Sequence, residues 1–217
     1  MNLSKVLLTA FEPFAGESVN PSLEIALRLT GTMIGAHRVV CQVLPVAFNE
    51  TAHTLHQALL AERPMLVIAL GQAGGRSEIS LERVAINLID ARIADNSGVQ
   101  LVDIPIVAGA PSAYFATLPV KAIRNALHAC GIPAQLSFTA GSYVCNQVFY
   151  LLMHELASLR SGARGGFIHV PYLPAQAAAH PGAPSMALDT MVEGIHCAIA
   201  CALQTPADIG IAAGTTH

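Results

Sequence analysis

The run Met65-Leu66-Val67-Ile68-Ala69-Leu70, closed by Gly71, is apolar throughout. A strand with one wet face alternates polar and apolar residues. A strand covered on both faces does not need to. The run is also too short for a buried helix, so it predicts a central strand of a parallel sheet with layers packed above and below. The flanking segments keep the same rhythm. Before it, Lys5 to Phe11 (KVLLTAF) and the β-branched Arg38 to Leu44 (RVVCQVL) read as strands. Between them a helix opens at Asn20-Pro21, with Asn as N-cap, Pro in the first turn, and Leu23, Ala26, Leu27 and Leu29 available to face inward. Asn49 to Glu62 has helical spacing, with Leu55, Ala58, Leu59 and Leu60 as its apolar positions. After it, Ile79 to Asp90 reads as an extended segment with polar interruptions, Thr117 to Cys130 as a helix with Pro119 in its first turn, and Ala134 to Thr139 as a strand. Val144 to Leu159 then reads as a helix, Gly166 to Val170 as a strand, and Ser185 to Gln204 as a last amphipathic helix stopped by Pro206. Alternation of this kind predicts an α/β fold, a three-layer α/β/α sandwich with a mainly parallel central sheet.

Composition bounds the rest. Of 217 residues, 53% are hydrophobic and only 12% charged, which excludes a largely disordered chain. The net charge of -3 offers no basic surplus for phosphate, so nucleic acid is not an expected partner. Mean hydropathy is +0.52. Yet no apolar run approaches the roughly 20 residues that span a bilayer, and Met1 to Thr9 lacks the apolar core and cleavage site of a signal peptide. The reading is a cytoplasmic protein with no membrane partner. Residues 1–217 form a single domain, with no linker or internal repeat and a mobile tail over 207–217. The five cysteines, Cys41, Cys130, Cys145, Cys197 and Cys201, form no CxxC pair, so zinc-ribbon and thioredoxin readings lack their spacing. Most should be buried thiols acting as small hydrophobes.

In open α/β sheets, ligands gather at the carboxyl ends of strands. Segments 11–20, 71–77, 141–146 and 169–174 each follow a predicted strand and should converge there. Cys145 lies in Ala140-Gly141-Ser142-Tyr143-Val144-Cys145-Asn146, at the start of a helix. Free N–H groups and the positive end of the helix dipole lower a thiol pKa, which makes Cys145 a candidate nucleophile. A buried structural cysteine is the competing reading. His169 closes Gly165-Gly166-Phe167-Ile168-His169 on the same rim and is the candidate base. It too has a plainer reading, a satisfied, half-buried imidazole. Glu82, in the mostly apolar Ile79 to Asn87, is the candidate third member, because a carboxylate there is costly to bury without a partner. A Glu82–Arg83 surface pair is weakened by the two-residue period, which places neighbours on opposite faces. Asp90, Asp95 and Asp103 are the alternatives. His53 and His56, at i,i+3 with Glu50 as the nearest acid, make no recognised metal motif. Gly71-Gln72-Ala73-Gly74-Gly75-Arg76 lacks both the G-K-[ST] and the dinucleotide spacing, so a substrate-contacting turn is the reading there.

Taken together, several motifs resemble the pyroglutamyl-peptidase I (pyrrolidone-carboxylate peptidase) family. They are Phe11-Glu12-Pro13-Phe14 with Asn20-Pro21-Ser22; Gly71-Gln72-Ala73-Gly74; Ile79 to Asn87; Asp90 to Asn96; Ala140 to Asn146; and Gly166 to Pro174. They occur in order over roughly residues 5–204. The resemblance implies a single catalytic domain that removes N-terminal pyroglutamyl residues from peptides, needs no metal or cofactor, and is usually a cytoplasmic homotetramer. It implies Cys145 as nucleophile, His169 as base and Glu82 as orienting acid. Phe11, Phe14, Ile93, Tyr143 and Val144 would line a slot for the lactam ring. Asn20 and Gln72 would help hold the substrate, and Arg92 would sit near the reacting carbonyl. Ser142 and Tyr143 stand where many relatives carry Thr and Phe. A different amidase or acyl transferase using the same three residues, and a non-catalytic small-molecule-binding α/β module, are the alternatives.

Overall fold

The structure is a computed structural model describing residues 4–159 and 162–214. Nine strands and six helices are placed among these residues. They are β1 (Ser4–Phe11), α1 (Pro21–Leu29), β2 (Met33–Ile34), β3 (His37–Leu44), α2 (Phe48–Glu62), β4 (Leu66–Gln72), β5 (Ile79–Glu82) and β6 (Val84–Ile86). Then follow β7 (Ala113–Phe115), α3 (Val120–Ala129), β8 (Ala134–Ser137), α4 (Val144–Leu159), β9 (Arg164–Val170), α5 (Pro174–Ala177) and α6 (Leu188–Gln204). Seven strands form the central sheet in the order β2-β3-β1-β4-β9-β5-β8, and β6 pairs with β7 in a separate ribbon.

The apolar run at 66–70 behaves as its composition predicts. Leu66, Ile68 and Leu70 enter the core under α1, α3 and α6. Val67 and Ala69 enter the core under α2 and α4. A strand that feeds two cores cannot alternate polar with apolar residues, and the sandwich has its expected three layers. β4 outlasts its predicted end by two residues, because Gly71 and Gln72 pair with His169 and Val170 of β9.

Four expectations need correction. Leu27 is exposed, and the inward position of α1 that the spacing missed is Ile25. Pro119 is the residue before α3 rather than part of its first turn. The extended segment from Ile79 breaks at Arg83, leaving β6 to pair with β7 outside the main sheet. The fourth concerns strand direction. β5 runs antiparallel to β9, with Ser80 opposite His169, and β8 runs parallel to β5. β8 therefore does not end at the rim where β1, β4 and β9 end, and loop 138–143 must climb back to reach it.

The part of the tail described here is tied down. Asp208 accepts the N–H groups of Lys121 and Ala122 at the start of α3, where Pro119 has no capping side chain. Lys121 Nζ reaches the Ile211 carbonyl. Residues 215–217 of that tail, and the first residues of the Met1 to Thr9 reading, 1–3, lie outside the described residues. No helix among the described residues is long and apolar enough to cross a membrane. Replacing Asp208 by Ala should cost about 1 kcal/mol, the usual value of a lost N-cap. Urea unfolding should read it as a lower midpoint at unchanged m-value.

Candidate active site

The strand direction missed by sequence reasoning is what assembles the site. With Ser80 opposite His169, Glu82 falls opposite Phe167, two residues along β9 and on the same face. From that diagonal position Glu82 Oε1 meets His169 Nδ1 at 2.7 Å. Glu82 is fully buried and His169 nearly so. The imidazole also lies against the Phe167 ring, centroids 4.8 Å apart, so its plane is fixed on two sides. With Nδ1–H donating to the carboxylate, Nε2 is left as the proton acceptor.

Glu82 Oε1 accepts from a second donor, Arg76 Nη1, at 2.6 Å. Arg76 also donates to the Thr139 carbonyl at 3.0 Å and so draws loop 138–143 toward the site. Arg76 was not among the sequence candidates. Its signal was present in the Gly-rich run it closes, since a turn at Gly75, with φ +89°, is what brings the arginine back over β5. Arg83 instead faces Asp208 at 3.8 Å, so the Glu82–Arg83 surface pair is excluded. The alternative acids are elsewhere. Asp95 accepts the Phe48 N–H at the start of α2 and two N–H groups of its own loop. Asp90 and Asp103 are exposed.

Cys145 is the second residue of α4. Gln147 is the first whose N–H reaches back a full turn, to the Tyr143 carbonyl, so the N–H groups before it have no partner inside the helix. Asn146 holds this end in place. It accepts the Ile86 N–H and donates to the Ile86 and Leu88 carbonyls. From β4, Gly71 presents a bare Cα. A Cβ there would lie 2.7 Å from the Phe167 ring and 3.0 Å from the Cys145 sulfur. The thiol thus sits over Gly71, on the sheet face carrying His169, which is the β9 partner of Gly71. Gly71 and Phe167 are two more residues that sequence reasoning left out of the site.

The expected lowering of the thiol pKa is overturned. Burial pushes the Cys145 thiol up to about 12, the Glu82 charge adds to the rise, and Arg76 only opposes it. Burial also pushes His169 below the usual imidazole range, against the upward pull of Glu82. The helix start is outweighed because a desolvated charge costs more than one helix end returns. The resting pair is neutral thiol and neutral imidazole.

Beside the thiol is a narrow slot lined by Phe11, Phe14, Asn20, Val46, Gln72, Tyr143, Val144 and Cys145. Six of the eight binding candidates are therefore brought together. Arg92 and Ile93 are not among them. Both are exposed, on a segment tied to the slot through the Tyr143 hydroxyl, which donates to the Ala94 carbonyl at 3.0 Å. Asn20 spends its polar atoms on structure, accepting the Ser22 N–H and hydroxyl and donating to the Glu12 carbonyl. Val46 was missed. It is held by its N–H, which donates to Glu12 Oε1. His56 pairs with Glu155, and no cluster suited to a metal occurs among the described residues.

A half-buried Cys beside a buried His and Glu on one face of an α/β/α sandwich, with an apolar slot beside the sulfur, defines a cysteine hydrolase type of site. The pyroglutamyl peptidase family profile matches residues 4–205. The pyrrolidone-carboxylate peptidase of Klebsiella pneumoniae is 56% identical over 99% of this chain and 100% of its own length. Pyrrolidone-carboxylate peptidase 1 of Ralstonia nicotianae is 55% identical over 98% and 99%. Among solved structures, pyroglutamyl peptidase I of Bacillus amyloliquefaciens superposes with a TM-score of 0.94 at 44% identity, covering 96% of this chain and 99% of that one. The chain belongs to the pyroglutamyl peptidase family.

The burial of Cys145 and His169 predicts how stability varies with pH. The folded thiol pKa is raised, so its stabilising contribution is complete below the unfolded value of 9 and is lost as pH rises toward about 12. The folded His169 pKa is lowered, so its contribution is present above 6.5 and is lost as pH falls through the folded value. Urea midpoints should therefore decline at both ends, and Cys145→Ala should flatten the alkaline decline while leaving the acid one.

Proposed function

We propose that this chain is a cysteine exopeptidase that removes an N-terminal pyroglutamyl residue from peptides, with Cys145 as nucleophile, His169 as general base and acid, and Glu82 as the group that orients the imidazole. The observation that carries this reading is the buried Glu82–His169 bond, which leaves Nε2 as an acceptor on the sheet face where the Cys145 sulfur rests.

The site chemistry follows from its electrostatics. Neither the thiol nor the imidazole ionises alone in so dry a place, but a proton passed from Sγ to Nε2 creates both charges together, each stabilising the other. Sγ attacks the pyroglutamyl carbonyl carbon as the proton leaves. The oxygen takes up negative charge, and the unpaired N–H groups at the start of α4 are the donors in reach of it. The tetrahedral centre collapses, the C–N bond breaks, and the imidazolium protonates the departing amine. Water, deprotonated by His169, then attacks the thioester and releases pyroglutamate. Glu82 remains ionised throughout and stabilises the imidazolium.

The slot supplies ring recognition. Phe11, Phe14 and Val144 offer apolar walls beside the sulfur. Walls alone discriminate weakly, since one missing group in an apolar pocket is worth about 1–3 kcal/mol. Gln72 adds a hydrogen-bonding group, and a ring lacking the matching atom leaves it unpaired. In this proposal Arg92 and Ile93 act from the exposed segment at the slot mouth. The same proposal includes cytoplasmic placement and a homotetramer, which sedimentation at micromolar concentration reads directly.

Two predictions test the reading. In a panel of matched amides, the pyroglutamyl compound should exceed the prolyl and glutamyl compounds in kcat/KM by about 10⁴-fold or more, the range reached by sites that hydrogen-bond their substrate. Comparable values would favour a general amidase. Cys145→Ala should abolish turnover. Glu82→Gln should lower kcat by orders of magnitude with KM little changed, as expected for a group acting on the transition state. A raised KM at normal kcat would place Glu82 in binding.

A further inference from the structure

Behind the slot, α5 contributes a residue that no reading of the catalytic motifs singles out. Gln176 is buried and has four polar partners within hydrogen-bond distance. Its Oε1 accepts the Leu173 N–H at 3.1 Å. Its Nε2 faces the Val19 carbonyl at 3.3 Å, Glu17 Oε2 at 3.2 Å and Gln72 Oε1 at 3.0 Å. Carboxamide oxygen and nitrogen are hard to tell apart by shape, but here the partners decide. A backbone N–H can only donate, so the atom facing Leu173 must be the oxygen. A backbone carbonyl and an ionised carboxylate can only accept, so the atom facing them must be the NH₂. That NH₂ then requires an acceptor from Gln72, which fixes the second amide in turn. Gln72 turns its oxygen back to Gln176 and has its own Nε2 left over. No other group among the described residues bonds that Nε2, and Gln72 lines the slot.

We infer that Gln176 is a positioning residue for substrate specificity: it locks the Gln72 carboxamide donor-first toward the slot, so that the pocket selects a ring bearing a carbonyl acceptor. The inference rests on the pyroglutamyl reading above, because the lactam carbonyl is the acceptor that a five-membered ring would bring. Glu17 secures the arrangement from the other side. It pairs with His180 at 2.6 Å, and His180 stacks on Tyr172, 5.0 Å between ring centroids. Tyr172 in turn packs where a side chain on Gly74 would otherwise be. The loop that carries Phe14 includes Ala15 at φ +54°, a left-handed conformation that alanine holds only under outside restraint. Gln176 and His180, both bonded to Glu17, supply such a restraint.

The test is a double-mutant cycle on the full-length protein with a pyroglutamyl amide. Gln176→Glu keeps the shape but replaces a donor by an acceptor. Gln72 must then reverse, give its NH₂ to the new carboxylate and face the slot with its oxygen. KM should rise at least 10-fold with kcat within about 3-fold, since the lost contact serves ground state and transition state alike. Gln176→Met, which only removes the donor, should raise KM by a smaller factor, and it carries the test if the glutamate variant fails to fold. In a Gln72→Met background, either change at 176 should alter KM less than 2-fold. An unchanged KM in the single variants overturns the inference. So does an equal rise in the Gln72→Met background, because the effect would then travel through the Phe14 loop and not through the Gln72 amide. Failure of the wild type to cleave the pyroglutamyl amide would instead overturn the function itself.

Discussion

The arrangement around Glu82 Oε1 constrains the rest of the molecule. A fully buried carboxylate loses hydration worth several kcal/mol and persists only with close partners. Here one oxygen atom receives both an arginine N–H and an imidazole N–H, at 2.6 and 2.7 Å. Meeting both fixes the chain path on either side. His169 can reach the carboxylate only if β5 lies beside β9, in antiparallel register. Arg76, six residues ahead of Glu82, can reach it only if the chain leaving β4 doubles back at once. Gly74 and Gly75 allow this, the first by admitting the Tyr172 ring against its Cα and the second by its positive φ. The reversed strand, which looks like a departure from a parallel sheet, is thus a requirement of the buried charge.

The same burial sets the character of the nucleophile. Thiols that sit at exposed helix starts are ionised by the helix end and react with whatever reaches them. In this site the thiol is desolvated and a carboxylate stands nearby, so the free thiol stays protonated. Reactivity then depends on a base that can take the proton at the moment of attack. Nδ1 of His169 is already committed to Glu82, so only Nε2 can serve. Arg76 and Glu82 cancel as charges, which leaves a site that is neutral before attack and carries one ion pair during it.

What could be read in the sequence divides along physical lines. The layers, most helices and the central strand were legible because burial imposes periodicity, and periodicity is local. Leu27 was misassigned for the converse reason: an apolar residue can lie on an exposed face, and only the packing of α1 decides which face that is. Cys145, His169 and Glu82 were legible because each residue type conflicts with its apolar or helix-start surroundings unless something uses it. Strand direction was not legible, since two-residue alternation carries no sign of which way a strand runs. Arg76, Val46, Phe167 and Gln176 were missed on that account or because their roles depend on register and on loops meeting from distant parts of the chain. The thiol pKa was misjudged because dipole and burial act in opposite directions, and burial at a loop junction is not written in local sequence.

Precision at the sulfur is distributed over parts of the chain that share no motif. Gly71 sets how closely α4 approaches the sheet, since any side chain there would meet both the Phe167 ring and the thiol. Asn146, with three hydrogen bonds to Leu88 and to Ile86 at the end of β6, ties the start of α4 to that ribbon. Arg76 draws the preceding loop inward through the Thr139 carbonyl, and Ser142 anchors it to the Asp90 carbonyl at 2.8 Å. Reaction geometry is sensitive at this scale, where a shift of about 1 Å can cost a hundredfold in rate. The neutral, dry thiol therefore depends on packing for what an exposed thiolate obtains from charge: it is unreactive toward solvent and held where one particular carbonyl, carried by a ring seated in the slot, can meet it.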